Sequence, residues 1–236
     1  MTKALQLLSR FSSPPNHFGY CGLDTASQAF ARCITTGDCQ GVAPEISHFK
    51  GLYPYLQTIG QVTGKHYLDY HVIKAYWIGG DLLKQFKPKH YQILIKHLEN
   101  QGLPDFFIAE VAANKPKAFI PLHLFNVIHI GVGKITGSVE TNLENVNHCM
   151  VRWGSITKLD SKTHTLTAKL RSLTKTNHKL FAISNKLTKV SYNPAFLTPK
   201  VGDTVAVHWK SATKILTVKE EKNLSHWTKT LITSLS

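Results

Sequence analysis

HCMVRWG, residues 148–154, is where this chain changes character. Downstream of it, apolar residues alternate in short runs rich in Val, Ile, Thr and aromatic side chains, the pattern of half-buried strands. MVRWGSITKLD and HTLTAKLRSL are separated by the turn DSKT, and LFAISN, LTKVSY, TVAVHW and ATKILTVK continue the pattern. Six short strands in this span predict a small antiparallel β-barrel. NLSHWTKTLITSL then reads as a closing helix, with Asn223 as its cap and Leu224, Trp227, Leu231 and Leu235 as the apolar stripe that docks it.

Upstream the period is helical. Residues 1–13 read as a short helix or arm. PPNHFGYCG, 14–22, reads as a loop, because two prolines, Asn16 and two glycines oppose a continuing helix. Asp24 stands as an N-cap before TASQAFARCI. Pro44 suits a first helical position, and Ile46, Phe49, Leu52, Tyr53, Leu56 and Ile59 form one apolar face that Pro54 should kink. A second long helix is expected from about Asp69 to Phe86, weakened at Gly79-Gly80, where another backbone is expected to approach. Pro88 opens a third, PDFFIAEVAAN (104–114) fits a fourth, and PLHLFNVIHI (121–130) a fifth or a strand. GVGKITGSVETNLENVN, 131–147, is rich in glycine and then polar; it lacks the spacing of a phosphate loop and reads as a hinge. The fold class expected is therefore α+β: a mainly helical domain over 1–135, a linker over 136–147, and a β-barrel domain with a C-terminal helix over 148–236.

Charge follows the same division. The chain carries a formal +14; residues 1–144 hold 13 basic and 10 acidic side chains, and the remainder 15 and 4. The basic excess belongs to the C-terminal part and suits an anionic partner or an acidic protein surface, although a solvated lysine-rich surface reads the same way. No apolar run approaches the roughly 20 residues of a membrane span, and a cytoplasmic protein is expected. The four cysteines, Cys21, Cys33, Cys39 and Cys149, form no Cys-x-x-Cys pair and are expected as free thiols.

The C-terminal ninety or so residues resemble the HypC/HupF-type hydrogenase maturation chaperones. Cys149 precedes Gly154 by the spacing of that family's Met-Cys-x-x-x-Pro-Gly, with Trp153 in place of the proline. Val201-Gly202-Asp203-Thr204-Val205-Ala206-Val207-His208 matches its second signature, and Lys219-Glu220-Glu221 matches the acidic start of its last helix. The resemblance implies an OB-like barrel and an iron centre held by Cys149 and His208. It further implies cyanide and carbonyl ligands on the iron, and maturation proteins or a hydrogenase-like client as partners. The whole chain, PPNHFGYCG included, is also similar to an uncharacterised bacterial family of this two-part layout.

Thiolate and neutral imidazole suit iron(II), with zinc the alternative. Two ligands leave positions open, and His148, His17, Cys21, His123 and His129 are candidates to complete the set, each with the plainer reading of a hydrogen-bonded core or surface side chain. His123 and His129, six apart, share a helix face only if the helix breaks. The PPNHFGYCG loop offers a thiol, an imidazole and a phenol for acid–base or nucleophilic work, or simply caps helices. No catalytic residue is assigned. The alternative function is a basic nucleic-acid-binding barrel stacking bases on Trp153, Trp209 and Tyr192.

Overall fold

The computed structural model describes residues 1–175 and 181–235. Among the described residues ten α-helices and five strands follow in the order expected, nine of the helices before the strands and the tenth after them. α1, Thr2–His17, buries Leu8 and Phe11 completely. It also carries Pro14 and Pro15 inside its last turn, so the loop expected from residue 14 begins only after His17. A proline there removes an amide donor without forcing the chain out of helix. The consequence is local: the Phe11 carbonyl has no amide at position 15 to accept from.

α2 (Ala26–Thr36) and α3 (Val42–Ile46) pack on α1. Thr25, not Asp24, precedes α2, and Pro44 lies inside α3 rather than opening a long helix. Pro54 occupies the first turn of a separate helix, α4 (Tyr53–Thr63), where its missing N–H costs nothing, so no kink forms. α5 covers only Tyr70–Ile78, capped by Asp69. The expected continuation to Phe86 is cut at Gly79, whose φ of 85° excludes helix and whose missing Cβ makes room for Trp227. α6 (Tyr91–Glu99) and α7 (Asp105–Ala113) follow, and Pro88 opens the 3₁₀ turn that leads into α6. α8, His123–Phe125, passes into a π-helical turn over Asn126–Gly131, which resolves 121–130 as helical. α9, Leu143–Cys149, begins within the stretch read as linker, capped by the Asn142 side chain accepting from the Asn145 amide.

The strands are β1 (Arg152–Asp160), β2 (Thr165–Lys175), β3 (Phe181–Ser191), β4 (Thr204–His208) and β5 (Ser211–Ile215). Residues 181–191, from the LFAISN and LTKVSY runs, form one strand, β3, paired along its length with β2, so among the described residues five strands replace the expected six; Leu180 lies outside them. β1 pairs with both β2 and β4, and the ring β1-β2-β3-β5-β4 is completed by a single parallel pair, Ser191 with Ser211; the sheet is mixed rather than purely antiparallel. Gly154 lies where β1 crosses β2 so closely that a Cβ would strike the Lys169 carbonyl. Ile156, Leu170, Val190, Val205 and Val207 fill the sheet interior.

α10, Val218–Ser234, closes the chain. Its cap is Thr217, in a reciprocal box with Glu220, and not Asn223, which lies inside the helix. Glu220 also bridges Lys74 of α5 at 3.1 Å and Lys214 of β5 at 3.0 Å, tying three elements together. The larger core is continuous from α1 and α5 through Trp153, Ala206 and Trp209 to Leu224 and Trp227. The helical and β portions thus share apolar packing. Cys33 and Cys39 form a disulfide, which corrects the expectation of four free thiols; Cys21 and Cys149 remain free. Among the described residues no helix is long and apolar enough to cross a membrane.

Candidate metal centre

His208 ends β4 and is 1% exposed. The tight turn after it uses Trp209 and Lys210 at φ 44° and 64°, the left-handed pair a two-residue hairpin requires. Its Nδ1 lies 2.7 Å from the Phe11 carbonyl oxygen, the acceptor freed by Pro15. A carbonyl only accepts, so Nδ1 carries the proton and Nε2 presents a lone pair. That Nε2 is buried and has no hydrogen-bond partner among the described residues. Burial pushes the imidazole pKa down to about 4, against the opposing pull of the Phe11 and Cys149 carbonyls. The Cys149 carbonyl is near enough to act on His208 electrostatically but makes no hydrogen bond of acceptable geometry with Nε2. His208 is therefore a neutral imidazole at pH 7, with its free nitrogen aimed into the protein.

Two further side chains meet it. Cys149 ends α9 and is buried; its Sγ lies 3.7 Å from His123 Nε2. Burial holds the thiol pKa well above its ordinary value, with Cys21 adding to the shift. The Trp209 indole N–H, which has no hydrogen-bond partner, opposes it slightly from nearby. His123 opens α8, and burial holds it neutral as well, its pKa well below the ordinary value. Its Nδ1 is 2.8 Å from the Tyr76 hydroxyl, which also donates to the Gly51 carbonyl at 3.0 Å; its Nε2 is 2.8 Å from the Cys149 carbonyl. When Tyr76 donates to Gly51, it accepts from Nδ1–H, and Nε2 then carries a lone pair set against the Cys149 carbonyl oxygen, a contact that favours this tautomer only when an ion takes that lone pair. When Nε2 donates to Cys149, Tyr76 turns its proton to Nδ1. One hydroxyl thus serves either tautomer.

His123, Cys149 and His208 each offer one ligand atom, all within 4.8 Å of one another. Tetrahedral coordination at about 2.0–2.3 Å sets ligand atoms about 3.5 Å apart. The 3.7 Å sulfur–nitrogen separation already meets that, and the remaining gaps close with movements of about 1 Å. The set is buried, soft and free of carboxylate. Trp77, stacked on Phe11 at 5.0 Å, walls the site, 4.6 Å from the His123 ring and 5.2 Å from that of His208. A cavity of about 60 Å³ opens on the three residues. One water needs about 10–15 Å³ on this measure, so the cavity holds a few waters or one or two small ligands.

The other sequence candidates divide. Cys21 lines the same cavity; the residue is half-buried, but its thiol is turned inward, and burial raises it to about 12. Its loop is set by Asn16, whose amide donates to the Cys21 and Leu23 carbonyls and whose oxygen accepts from Ser27. The PPNHFGYCG segment therefore acts as a capped connection that delivers Tyr20 and Cys21 to the cavity. His17 lies on the surface at the end of α1, against Phe18. His148, next to Cys149 on α9, lines a different cleft, with its ring 5.9 Å from that of Trp209. His129 is rotated away by the π turn, and its Nε2 meets the Asn114 carbonyl at 2.8 Å. None of His17, His148 and His129 joins the cluster. In the glycine-rich stretch after α8, Lys134 pairs with Glu110 at 3.0 Å. Trp153, Trp209 and Tyr192 are 2%, 3% and 9% exposed, so the aromatic stacking surface proposed for nucleic acid is buried.

Over residues 1–236 the chain matches DUF6390, described as a family of unknown function, and it belongs to that family. No curated protein and no solved structure matches it.

Proposed function

We propose that this member of the DUF6390 family is a metal-handling protein. It holds iron(II), with zinc the alternative, on His123, Cys149 and His208, and leaves a coordination position open to the adjoining cavity. The observation that carries this reading is His208: Nδ1 is committed to the Phe11 carbonyl and Nε2 is buried without a partner, beside a second neutral imidazole and a thiol. A buried lone pair with nothing to accept from costs free energy unless something binds it. The resemblance of 148–236 to the HypC/HupF chaperones adds that the β-domain is OB-like, that the open position takes small ligands such as cyanide or carbonyl, and that maturation proteins or a hydrogenase-like client exchange the metal. A cytoplasmic location belongs to the same reading. Cys149 stands behind 148 residues here, so the metal is enclosed by the helical portion rather than carried on a free terminal thiol.

The test is metal analysis of the purified chain, with cobalt(II) loading to read thiolate and imidazole ligation by absorption and infrared spectra for cyanide or carbonyl bands. About one metal per chain is expected, with the thiolate-to-cobalt band absent in Cys149→Ser and the ligand field altered in His208→Ala and His123→Ala. Stoichiometric binding that survives all three substitutions, or none in the native chain, overturns the proposal.

A further inference from the structure

Arg152 opens β1 and is 3% exposed. Its Nε and Nη2, the two nitrogens on one edge of the guanidinium, are buried without a hydrogen-bond partner. Among the described residues no carboxylate lies within 4.0 Å of it, and the cation–π contacts found involve other side chains. Burial lowers its pKa to about 10, which leaves it ionised at neutral pH. A buried, unpaired guanidinium is among the costliest groups a fold can keep, and the unpaired edge is the one that grips two oxygens of an oxyanion at once.

The surroundings suit that oxyanion. Beyond Leu170 the β1 strand no longer covers β2, and the Asn147 side chain takes its place, accepting from the Leu173 amide and donating to the Leu173 carbonyl. This holds α9 over the β2–β3 ribbon and leaves a cleft of about 470 Å³ between them. Alternation along the two strands turns Ser172, Ser184, Lys186 and Thr188 to one face of the ribbon, with Ser172 opposite Ser184. Ser172 Oγ is itself buried without a partner. Buried Arg152 and, from α9, His148 also line the cleft. Glu144, at the rim, is the one carboxylate of the lining.

We propose that this cleft binds the phosphate group of a small phosphorylated ligand, with Arg152 as anchor and Lys186 and the ribbon hydroxyls as further donors. Binding turns the Nε–Nη2 edge toward the cleft. Two cationic side chains and three hydroxyls arrayed in three dimensions suit a tetrahedral dianion better than a planar monoanionic carboxylate. The volume exceeds that of inorganic phosphate and leaves room for the group that carries it. His148 faces this cleft while Cys149 faces the metal cavity, so α9 separates two sites, and the phosphate site stands whether or not a metal binds.

Thermal unfolding of the full chain in inorganic phosphate, against chloride of equal ionic strength, tests it. Phosphate at a hundredfold excess over Kd should raise Tm by roughly 5–10 °C, saturably. Arg152→Met should lose that response without lowering Tm in chloride, because the unpaired charge is gone. Lys186→Gln, on the surface, should need about tenfold more phosphate for the same shift. An equal rise in chloride, or a full phosphate response in Arg152→Met or in Lys186→Gln, overturns the proposal. A short oligoribonucleotide acting at far lower concentration than phosphate, with steep salt dependence, would assign the cleft to a nucleic-acid backbone and overturn the small-ligand reading.

Discussion

Tyr76→Phe isolates the hydrogen bond that would ready His123 as a ligand in the proposed centre. The substitution removes one oxygen and keeps the ring, which is fully buried against Tyr55, Trp77 and His123. Burial keeps the phenol pKa well above its ordinary value, so the native group is always a hydroxyl. Its loss leaves the Gly51 carbonyl and His123 Nδ1 unmatched at 3.0 and 2.8 Å from the vacated point. Each such buried group costs about 1–3 kcal/mol, partly relieved by relaxation, so the metal-free chain should lose about 2–4 kcal/mol in urea denaturation. A metal on His123 loses the hydrogen bond that orients its ligand, and affinity should fall about 10–100-fold, or about 1.4–2.7 kcal/mol, in competition against a chromophoric chelator. Tyr55→Phe is the control: it is equally buried, its hydroxyl makes only a long 3.4 Å contact with Asn126, and it does not touch His123. It should cost under about 1 kcal/mol and leave affinity unchanged. A Tyr76→Phe chain that is destabilised as expected yet binds metal as tightly as the native one would refute the role given to His123.

The remaining expectations are shorter. Glu220→Gln should cost about 3 kcal/mol, since Lys74 and Lys214 lose a partner that is almost wholly buried. Burial alone would raise the Glu220 pKa, but the Thr217 amide and the two lysines outweigh it and hold it low; its contribution is present above the unfolded carboxylate pKa and lost as pH falls through the folded one, so the variant should flatten the acid limb of the stability curve. His208, with its pKa lowered to about 4, acts in a higher window. The unfolded chain takes up that proton near pH 6.5 and the folded one does not, so His208 alone should lower metal-free stability by about 3 kcal/mol from pH 6.5 down toward 4, on top of a fall of the same sign from His123, and His208→Gln should remove its own share of the slope. Gly154→Ala should fail to fold or lose more than about 3 kcal/mol, because the obstacle is the Lys169 backbone rather than a movable side chain. Thiol titration of the unreduced chain in denaturant should count two thiols, Cys21 and Cys149, and four after reduction.

The change from helical to strand periodicity near residue 150 was legible, because both periods rest on local alternation of apolar side chains. Pro14 and Pro15 were misleading for an equally local reason: proline is read as a breaker, whereas here the lost amide leaves a carbonyl for a histidine 197 residues away. Thr217 against Asn223 turned on a capping box, a four-residue pattern that Thr-Val-Lys-Glu states openly and that the stripe of leucines obscured. Selecting His123 from five candidates was beyond sequence. His123 and His129 stand on one apolar segment, and only the π turn and the Asn114 carbonyl separate their fates. Arg152 carried no signal at all, since a lone arginine in a basic domain reads as surface; burial alone distinguishes it.

The candidate centre draws on five separate elements. α1 supplies a carbonyl, α5 the Tyr76 hydroxyl and the Trp77 wall, α8 and α9 a ligand each, and β4 the third. No two ligands lie within 25 residues of one another in sequence, so no fragment of the chain reproduces the set. A metal that binds there binds the folded chain alone and stabilises it by mass action, about 2.7 kcal/mol at a hundredfold excess over Kd. The dependence is reciprocal. Trp227 of α10 fills the space that Gly79 leaves at the end of α5, directly after Trp77 and Ile78. Loosening α10 should therefore loosen the helix that holds the wall and the hydroxyl, and so weaken the binding of a metal at the candidate centre, although α10 supplies none of the candidate ligands.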